Sequence, residues 1–442
     1  MNASRLTRLA MALGAALVSP VYAQNLQSLY DSARSYDAAY QAAKFQYEVY
    51  LAQADEAKFN LLPTVNLGIS SSNGQVNIID SSPPQNNRNF TNAGATITAS
   101  QPLYRPANLA LYEQGKKNAD LAQAVLLTAE QDLIVRASQA YFDVLNAQDT
   151  LAFVQAQKAA VGEQLASAKR NFEVGTATIT DTREAQARYD LVIAQEVAAD
   201  NDLRVKELAL NQLVGKTDVA PRPLASTKLP ELMPTDLNIW VQQALDSHPS
   251  LKQLRVVYEV AQLEVKKAEA GHKPTLDLTA SYGYSDNSNG TTTSANSSKA
   301  ATGVVGLSFN LPLFAGFFTQ NRIKETLALE NKTRSDLEAA KRNVSQATRA
   351  AYFGVISSLG QAKALEAAET SSQSALDANK LGYQVGVRIN IDVLNSQSQL
   401  YQTKRDLAKA RYDVLIGGLK LRQANGTLKA EDLQGVNALL SQ

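Results

Sequence analysis

The side chains able to do chemistry are few in these 442 residues. There are two histidines, His248 and His272, and neither has an acidic or second metal-binding partner at ligand spacing. Gly215-Lys216-Thr217 imitates the end of a phosphate-binding loop. The glycine required upstream is replaced by Leu210 and no strand pattern precedes it, so the triplet reads as a helix C-cap running into a linker. With no cysteine there is neither a thiolate nor a disulfide framework. Carboxylates are scattered along helix faces without an acid–base couple. No catalytic residue, cofactor or metal is expected. The residues that do stand out sit in two turns, Val174-Gly175-Thr176 and Val385-Gly386-Val387, where a glycine supplies the left-handed conformation between helices. Each turn is followed by an aspartate opening the return helix, Asp181 and Asp392. Asp181-Thr182-Arg183-Glu184 has capping-box spacing, so an N-cap role alone accounts for Asp181.

The elements that position these turns are written twice. Tyr47-Glu48-Val49 returns as Tyr258-Glu259-Val260, Pro63-Thr64 as Pro274-Thr275, Tyr141-Phe142 as Tyr352-Phe353 and Val174-Gly175 as Val385-Gly386, all at the same offset. Each copy reads helix, strand, strand, long helix, turn, long helix. The first copy occupies 24–215 and the second 236–426. A proline-rich linker at 216–235 joins them and a tail at 427–442 closes the chain. Residues 107–220 and 313–442 contain no proline and are rich in Ala, Gln, Leu, Lys and Glu, which permits very long helices. Asn108 to Phe172 alone spans roughly 95 Å at about 1.5 Å per residue. Such a helix needs partners along its whole length. In the last helix Val393, Leu400, Leu407, Val414, Leu421 and Leu428 recur as heptads, with small residues such as Ser396, Ala410 and Gly417 on the neighbouring seam. That pattern implies left-handed supercoiling, and by itself it suits a plain two-helix coiled coil.

The strand patterns point elsewhere. Leu276, Leu278, Ala280, Tyr282 and Tyr284 alternate with Asp277, Thr279, Ser281 and Gly283; Val305, Leu307, Phe309 and Leu311 alternate with Gly306, Ser308 and Asn310. Val65, Leu67, Ile69 and Ala95, Ile97, Ala99 repeat the pattern in the first copy. Polar loops, Ser81–Asn87 and Asp286–Lys299, separate the strands of each pair. Tyr104, Phe314, Phe317 and Phe318 stand where strand meets helix, suited to an interfacial belt. One apolar and one polar face fits a membrane barrel with a wet lumen, and equally half of a soluble antiparallel sheet.

Arg5 and Arg8 ahead of the apolar run 9–18, then Val21-Tyr22-Ala23, form a secretory signal over 1–23. The net charge of +1 falls to −1 without it, so no basic excess invites nucleic acid. No later segment is apolar for the ~18 residues a spanning helix needs. A spanning chain would therefore use strands. Four strands per chain are too few to close, since single-chain barrels need about eight, and an open edge is not tolerated in lipid. Several chains would have to share one barrel. The alternative is a periplasm-spanning coiled-coil scaffold without a channel.

Gly382-Tyr383-Gln384-Val385-Gly386-Val387-Arg388-Ile389-Asn390-Ile391-Asp392-Val393-Leu394, the ending Gly426-Thr427-Leu428-Lys429-Ala430-Glu431-Asp432-Leu433, and Phe172-Glu173-Val174-Gly175 followed by Ile179-Thr180-Asp181 resemble the TolC family of outer-membrane efflux and secretion proteins. The resemblance runs from Leu26 to the end. It implies an α+β membrane protein: a homotrimer in which four strands per chain make one transmembrane β-barrel of twelve, above a long α-helical barrel, with an equatorial belt near 216–240. It implies an exit duct passing substrates from an inner-membrane transporter of ABC or RND type, joined through a periplasmic adaptor protein. By the same resemblance Val174, Gly175, Thr176, Val385, Gly386 and Val387 form the adaptor-docking tips. Thr180, Asp181, Tyr383 and Arg388 make polar links that close a periplasmic gate, Asp392 faces its pore and Arg411 is a further gate arginine. The family pattern carries a second aspartate three residues after Asp392, where this chain has Asn395, so weaker capture of multivalent cations is expected.

Overall fold

The computed structural model describes residues 24–77, 79, 87–225 and 228–441. The signal segment 1–23 and most of the loop 81–87 lie outside them. Each copy opens with two helices where the sequence suggests one: α1 (Leu26–Tyr36) and α2 (Ala38–Lys58) in the first, α5 (Leu237–Ser247) and α6 (Pro249–Glu269) in the second. The breaks fall at equivalent positions, Asp37 and His248, by different means. Pro249 takes the first position of α6, where a missing N–H costs nothing. The Nδ1 of His248 accepts a hydrogen bond from the backbone N–H of Ser250 (3.2 Å). In the first copy the Asp37 carboxylate accepts from Tyr40 N (2.8 Å) and from both terminal nitrogens of Arg136 (2.9 and 3.0 Å), and those contacts hold it below the usual carboxylate range.

The strands follow: β1 (Thr64–Val76) and β2 (Arg88–Tyr104), then β3 (Thr275–Ser288) and β4 (Ser298–Asn310). They form one antiparallel sheet in sequence order, β2 and β3 pairing across the two copies. The register carries the alternation from strand to strand. Val65, Ala99, Ala280 and Val305 make one row, and Leu67, Ile97, Tyr282 and Gly303 another, on one face. Thr64, Ser100, Thr279 and Gly306 lie on the other. The second loop is shorter than the sequence suggests. Asp286 and Lys299 belong to the ladder, opposite each other and ion-paired at 2.8 Å.

Four helices carry the rest: α3 (Pro106–Glu173), α4 (Ile179–Val214), α7 (Phe318–Gln384) and α8 (Asn390–Ala424), of 68, 36, 67 and 35 residues. Pro106 sits inside α3, at its first position, where its fixed φ suits a helix start. A short α9 (Asp432–Asn437) ends the chain. Gly215 adopts φ +68 as the C-cap of α4, its N–H bonding to the Asn211 carbonyl, so the Gly-Lys-Thr triplet is a helix stop.

By contacts the chain divides into two compact units. One holds the described residues of 1–44, 126–251 and 341–442; the other holds 45–125 and 252–340, with the sheet. In the first unit Tyr30, Tyr141, Phe142, Leu210, Leu415 and Leu433 share one buried core. Two equivalent tyrosines fasten the segment between the copies. The Tyr141 hydroxyl donates to the Arg222 carbonyl (2.9 Å) and that of Tyr352 to the Thr235 carbonyl. Isolated bridges join Gln24 to Pro221 and Leu224 to Leu440.

Burial holds the pKa of half-buried His248 below the ordinary imidazole value. A base with a depressed folded pKa contributes stability that is complete above its unfolded pKa of about 6.5 and is lost as pH falls toward the folded value. Protonation also converts the capping acceptor Nδ1 into a donor. His248→Asn retains a cap acceptor without titrating. Thermal unfolding between pH 7.5 and 5.5 should show a smaller acid-induced loss for the variant, with a cap's worth of about 1 kcal/mol at stake.

Candidate functional site at the hairpin tips

Both long hairpins turn in the same way. Gly175 and Gly386 take φ +78 and +81. In the first turn Gly175 N–H bonds to Phe172 O, and Thr176 N–H reaches back to Asn171 O (2.8 Å). In the second, Gly386 bonds to Tyr383 O and Val387 to Gly382 O (2.9 Å). These are Schellman turns, which need a left-handed residue after the last helical one. A Cβ at either glycine would meet nothing within 4 Å, so backbone conformation and not space demands glycine there. Val174, Val385, Val387 and Ile389 are 73, 66, 78 and 60% exposed, so each tip presents apolar side chains to its surroundings. Thr176 is exposed beside them.

The return helices differ. Helix α4 is capped by Thr178, whose hydroxyl accepts from Asp181 N (3.2 Å) while the Asp181 carboxylate accepts from Thr178 N (2.9 Å) and Thr178 Oγ1 (2.8 Å). The capping box is therefore Thr178 with Asp181 at its third position, three residues before the Asp181-to-Glu184 frame that the sequence suggests. Thr-x-x-Asp was the legible signal for it. Helix α8 starts after Ile389, which offers no capping side chain. Its Asp392 lies in the first turn, 3.7 Å from Arg388 Nη1. Both groups are partly exposed, so this pair contributes little.

Asp181, Tyr383 and Arg388 line one polar cleft of about 790 Å³ between the two tips, together with Thr176, Val385 and Gly386. The expected polar links among Thr180, Asp181, Tyr383 and Arg388 do not form within one chain. Asp181 is occupied by its own cap, Thr180 is exposed, the Tyr383 hydroxyl accepts from Asn171 Nδ2 (3.1 Å) and Arg388 turns to Asp392. Arg411 stands apart, nineteen residues beyond Asp392 on α8, with Nη2 on Glu366 (2.9 Å). Asn395 accepts from Arg188 Nη2 on α4 (2.9 Å), which sets a cation beside the position where the family pattern has a second aspartate. Sequence reasoning missed Asn171, Gln164 and Asn390, whose roles come from partners far away in the chain. Among the described residues no group of His, Cys, Asp and Glu could hold a metal, and no helix is long and apolar enough to cross a membrane.

Two segments, 29–216 and 240–427, match the family model described as outer membrane efflux protein. Their starts and ends are separated by the same offset as the repeat landmarks. The chain is 34% identical over 423 residues to the outer membrane protein TolC of Vibrio cholerae, covering 96% of this chain and 95% of that protein. It is 32% identical over 355 residues to the alkaline protease secretion protein AprF of Pseudomonas aeruginosa, covering 79% of this chain and 73% of that one. Among solved structures, the outer membrane protein VceC of Vibrio cholerae superposes with a TM-score of 0.76 at 19% identity, over 91% of this chain and 96% of that one. The CmeC outer membrane channel of Campylobacter jejuni gives 0.79 at 16%, over 95% and 90%. At those identities the two structures speak for the fold.

Proposed function

Because this chain belongs to the outer membrane efflux protein family, we propose that three copies assemble into one channel whose periplasmic end is gated and docked at the hairpin tips. The protein is an outer-membrane exit duct for efflux and type I secretion, with a helical barrel beneath a β-barrel. The observation that carries the assembly is the sheet. Its order leaves β1 and β4 with open edges, and its apolar face stays exposed, with Val65, Leu67, Ile69, Val305, Leu307 and Phe309 each more than 60% exposed. A four-stranded sheet with unpaired edges is unstable in lipid, and twelve strands from three chains satisfy every backbone group.

Docking is assigned to the exposed apolar tips. The chemistry they suit is a helical hairpin of a periplasmic adaptor protein, which links the duct to an inner-membrane transporter of ABC or RND type. The gate is assigned to Thr180, Asp181, Tyr383, Arg388 and Asp392, with Arg411 as a more distant member. In one chain the one contact among these groups is the Arg388–Asp392 pair at 3.7 Å, so the links that close the gate run between neighbouring copies or reform when the tips draw together. Enzymatic chemistry is no part of the reading.

The test is conductance. Tyr383→Phe with Arg388→Ser removes two hydrogen-bonding groups per chain, each worth about 0.5–1.5 kcal/mol net and more where charged. Repetition around a three-fold ring multiplies the effect. Single-channel conductance of the double variant in planar bilayers should rise above that of the natural protein. Unchanged conductance from intact trimers would make these residues ordinary surface groups.

A further inference from the structure

Helices α3 and α8 run antiparallel, and polar side chains cross their seam at helical intervals. The Tyr412 hydroxyl donates to Asp149 Oδ2 (2.6 Å) and Arg405 Nη1 donates to Gln157 Oε1 (3.1 Å). Seven residues further along α3 lies Gln164, and seven back along α8 from Arg405 is the neighbourhood of Gln397. That pair would be the next crossing, but it is not made. Gln164 Nε2 donates instead to Asn390 Oδ1, one heptad nearer the tip. The other end of the Asn390 amide points to the Asp181 carbonyl (3.4 Å). Asn390, 1% exposed, thus ties the first residue of α8 to both α3 and α4. The missed position leaves a mark: Gln397 is 2% exposed and its Oε1 is buried without a hydrogen-bond partner. Asn390, Leu394 and Gln397 share one stripe of α8, and Leu394 packs among Val161 and Leu165 of α3 and Ala185 of α4.

A buried acceptor with no donor costs more than a made bond returns, so native chains rarely keep one. Here a donor already lies on the facing helix, held by another acceptor. The first copy has no such device. Its equivalents of Asn390 and Gln397 are Ile179 and Gln186, and Gln186 bonds to Asp190 on its own helix. Nor does α8 possess a side-chain cap of its own, so its start is fastened by the Asn390 contacts together with the packing of Val393 and Leu394.

We propose that Gln164 is a two-position latch, holding Asn390 while the hairpin tips are together and passing its amide N–H to the vacant Gln397 oxygen when the start of α8 moves away. The inference deepens the gate reading and rests on it for its functional meaning. Asn390 is a positioning residue, acting through where it places Asp392 and Arg388. With Gln397 as receiver, release exchanges one buried hydrogen bond for another, which keeps the two arrangements close in free energy.

The test reads the latch separately from the gate. Backbone hydrogen exchange in the first turns of α8, measured on detergent-solubilised trimers, reports release directly. Asn390→Ala should speed exchange there by about two- to tenfold, the population shift that one net hydrogen bond supports. Gln397→Leu removes the receiver and should slow it. In the Asn390→Ala background Gln164 already turns to Gln397, so Gln397→Leu should no longer slow exchange there, whereas relief of an unsatisfied acceptor alone would slow it in both backgrounds. Conductance is measured on the same samples. Altered exchange with unaltered conductance leaves the latch standing and removes the gate reading. Unaltered exchange in Asn390→Ala, or faster exchange in Gln397→Leu, overturns the latch. Should Asn390→Ala not assemble, Gln164→Ala opens the same bond from the donor side and is held to the same acceleration.

Discussion

Val305→Arg is expected to cost about 2–4 kcal/mol per chain in trimer stability, the range for a cation at the lipid midplane of a barrel, while Val304→Arg costs little. The two positions are consecutive residues near the middle of β4, with the same side chain replaced in the same way. They differ in face. Val305 stands in the row with Val65, Ala99 and Ala280, and Val304 in the row with Asn66, Thr98 and Ser281. In a barrel the first row meets lipid and the second meets the water-filled lumen. Leu278, on the apolar face but only three residues into β3, sits nearer the interface and should suffer less than Val305. Heat-modifiable trimer recovered from outer-membrane fractions is the measurement. Equal losses at 304 and 305 would mean the sheet has no lipid-facing side, and the shared barrel would go with it.

What was legible in the sequence was whatever depends on period. The strand faces followed from alternation because a strand has only two sides. The repeat followed from a constant offset, and the tip glycines from a backbone conformation that other residues avoid. What was not legible depends on partners. The break after α1 comes from Asp37 meeting Arg136, ninety-nine positions away. Its local half, the Asp37 carboxylate accepting from Tyr40 N, is ordinary N-cap chemistry, whereas the Arg136 partner leaves no signal in the neighbouring residues. The sequence carries two overlapping cap patterns, Thr178-x-x-Asp181 and Asp181-x-x-Glu184, and only the turn geometry fixes the first as the cap of α4. The loop after β3 is shorter than its polar residues suggest, because Asp286 and Lys299 look like loop residues until they face each other across a ladder. The residues proposed for the gate rest on the family pattern alone. Within one chain Asp181, Tyr383 and Arg388 line one cleft without bonding to one another, while the buried Gln164–Asn390 contact, between residues 226 positions apart, left no local trace.

Arg105→Leu should destabilise each chain by about 3–5 kcal/mol, the cost of leaving a buried charge without its partner, and Asp277→Asn by less, about 1–2 kcal/mol. The asymmetry follows from exposure. The fork is bidentate, Nε to Oδ1 at 2.7 Å and Nη2 to Oδ2 at 2.6 Å. The Asp277 side chain is 10% exposed, whereas that of Arg105 is 43% exposed. Losing the arginine strands a carboxylate that is largely shielded from water. Losing the charge on Asp277 leaves a guanidinium that already touches solvent and an amide oxygen that still accepts from it. The fork crosses the corner where β2 gives way to α3, beside the register shift between Pro102 and Tyr104, and it joins that corner to the start of β3. The equivalent positions in the other copy are Gly316 and Asn66, so the second corner has no such tie and cannot compensate. A double-mutant cycle on purified trimers, read by denaturant unfolding, separates the pair from its parts. The double variant Arg105→Leu/Asp277→Asn should be more stable than Arg105→Leu alone, because the stranded charge is gone. If Asp277→Asn proves the costlier single change, the carboxylate is not the buried member and the corner is held by packing instead.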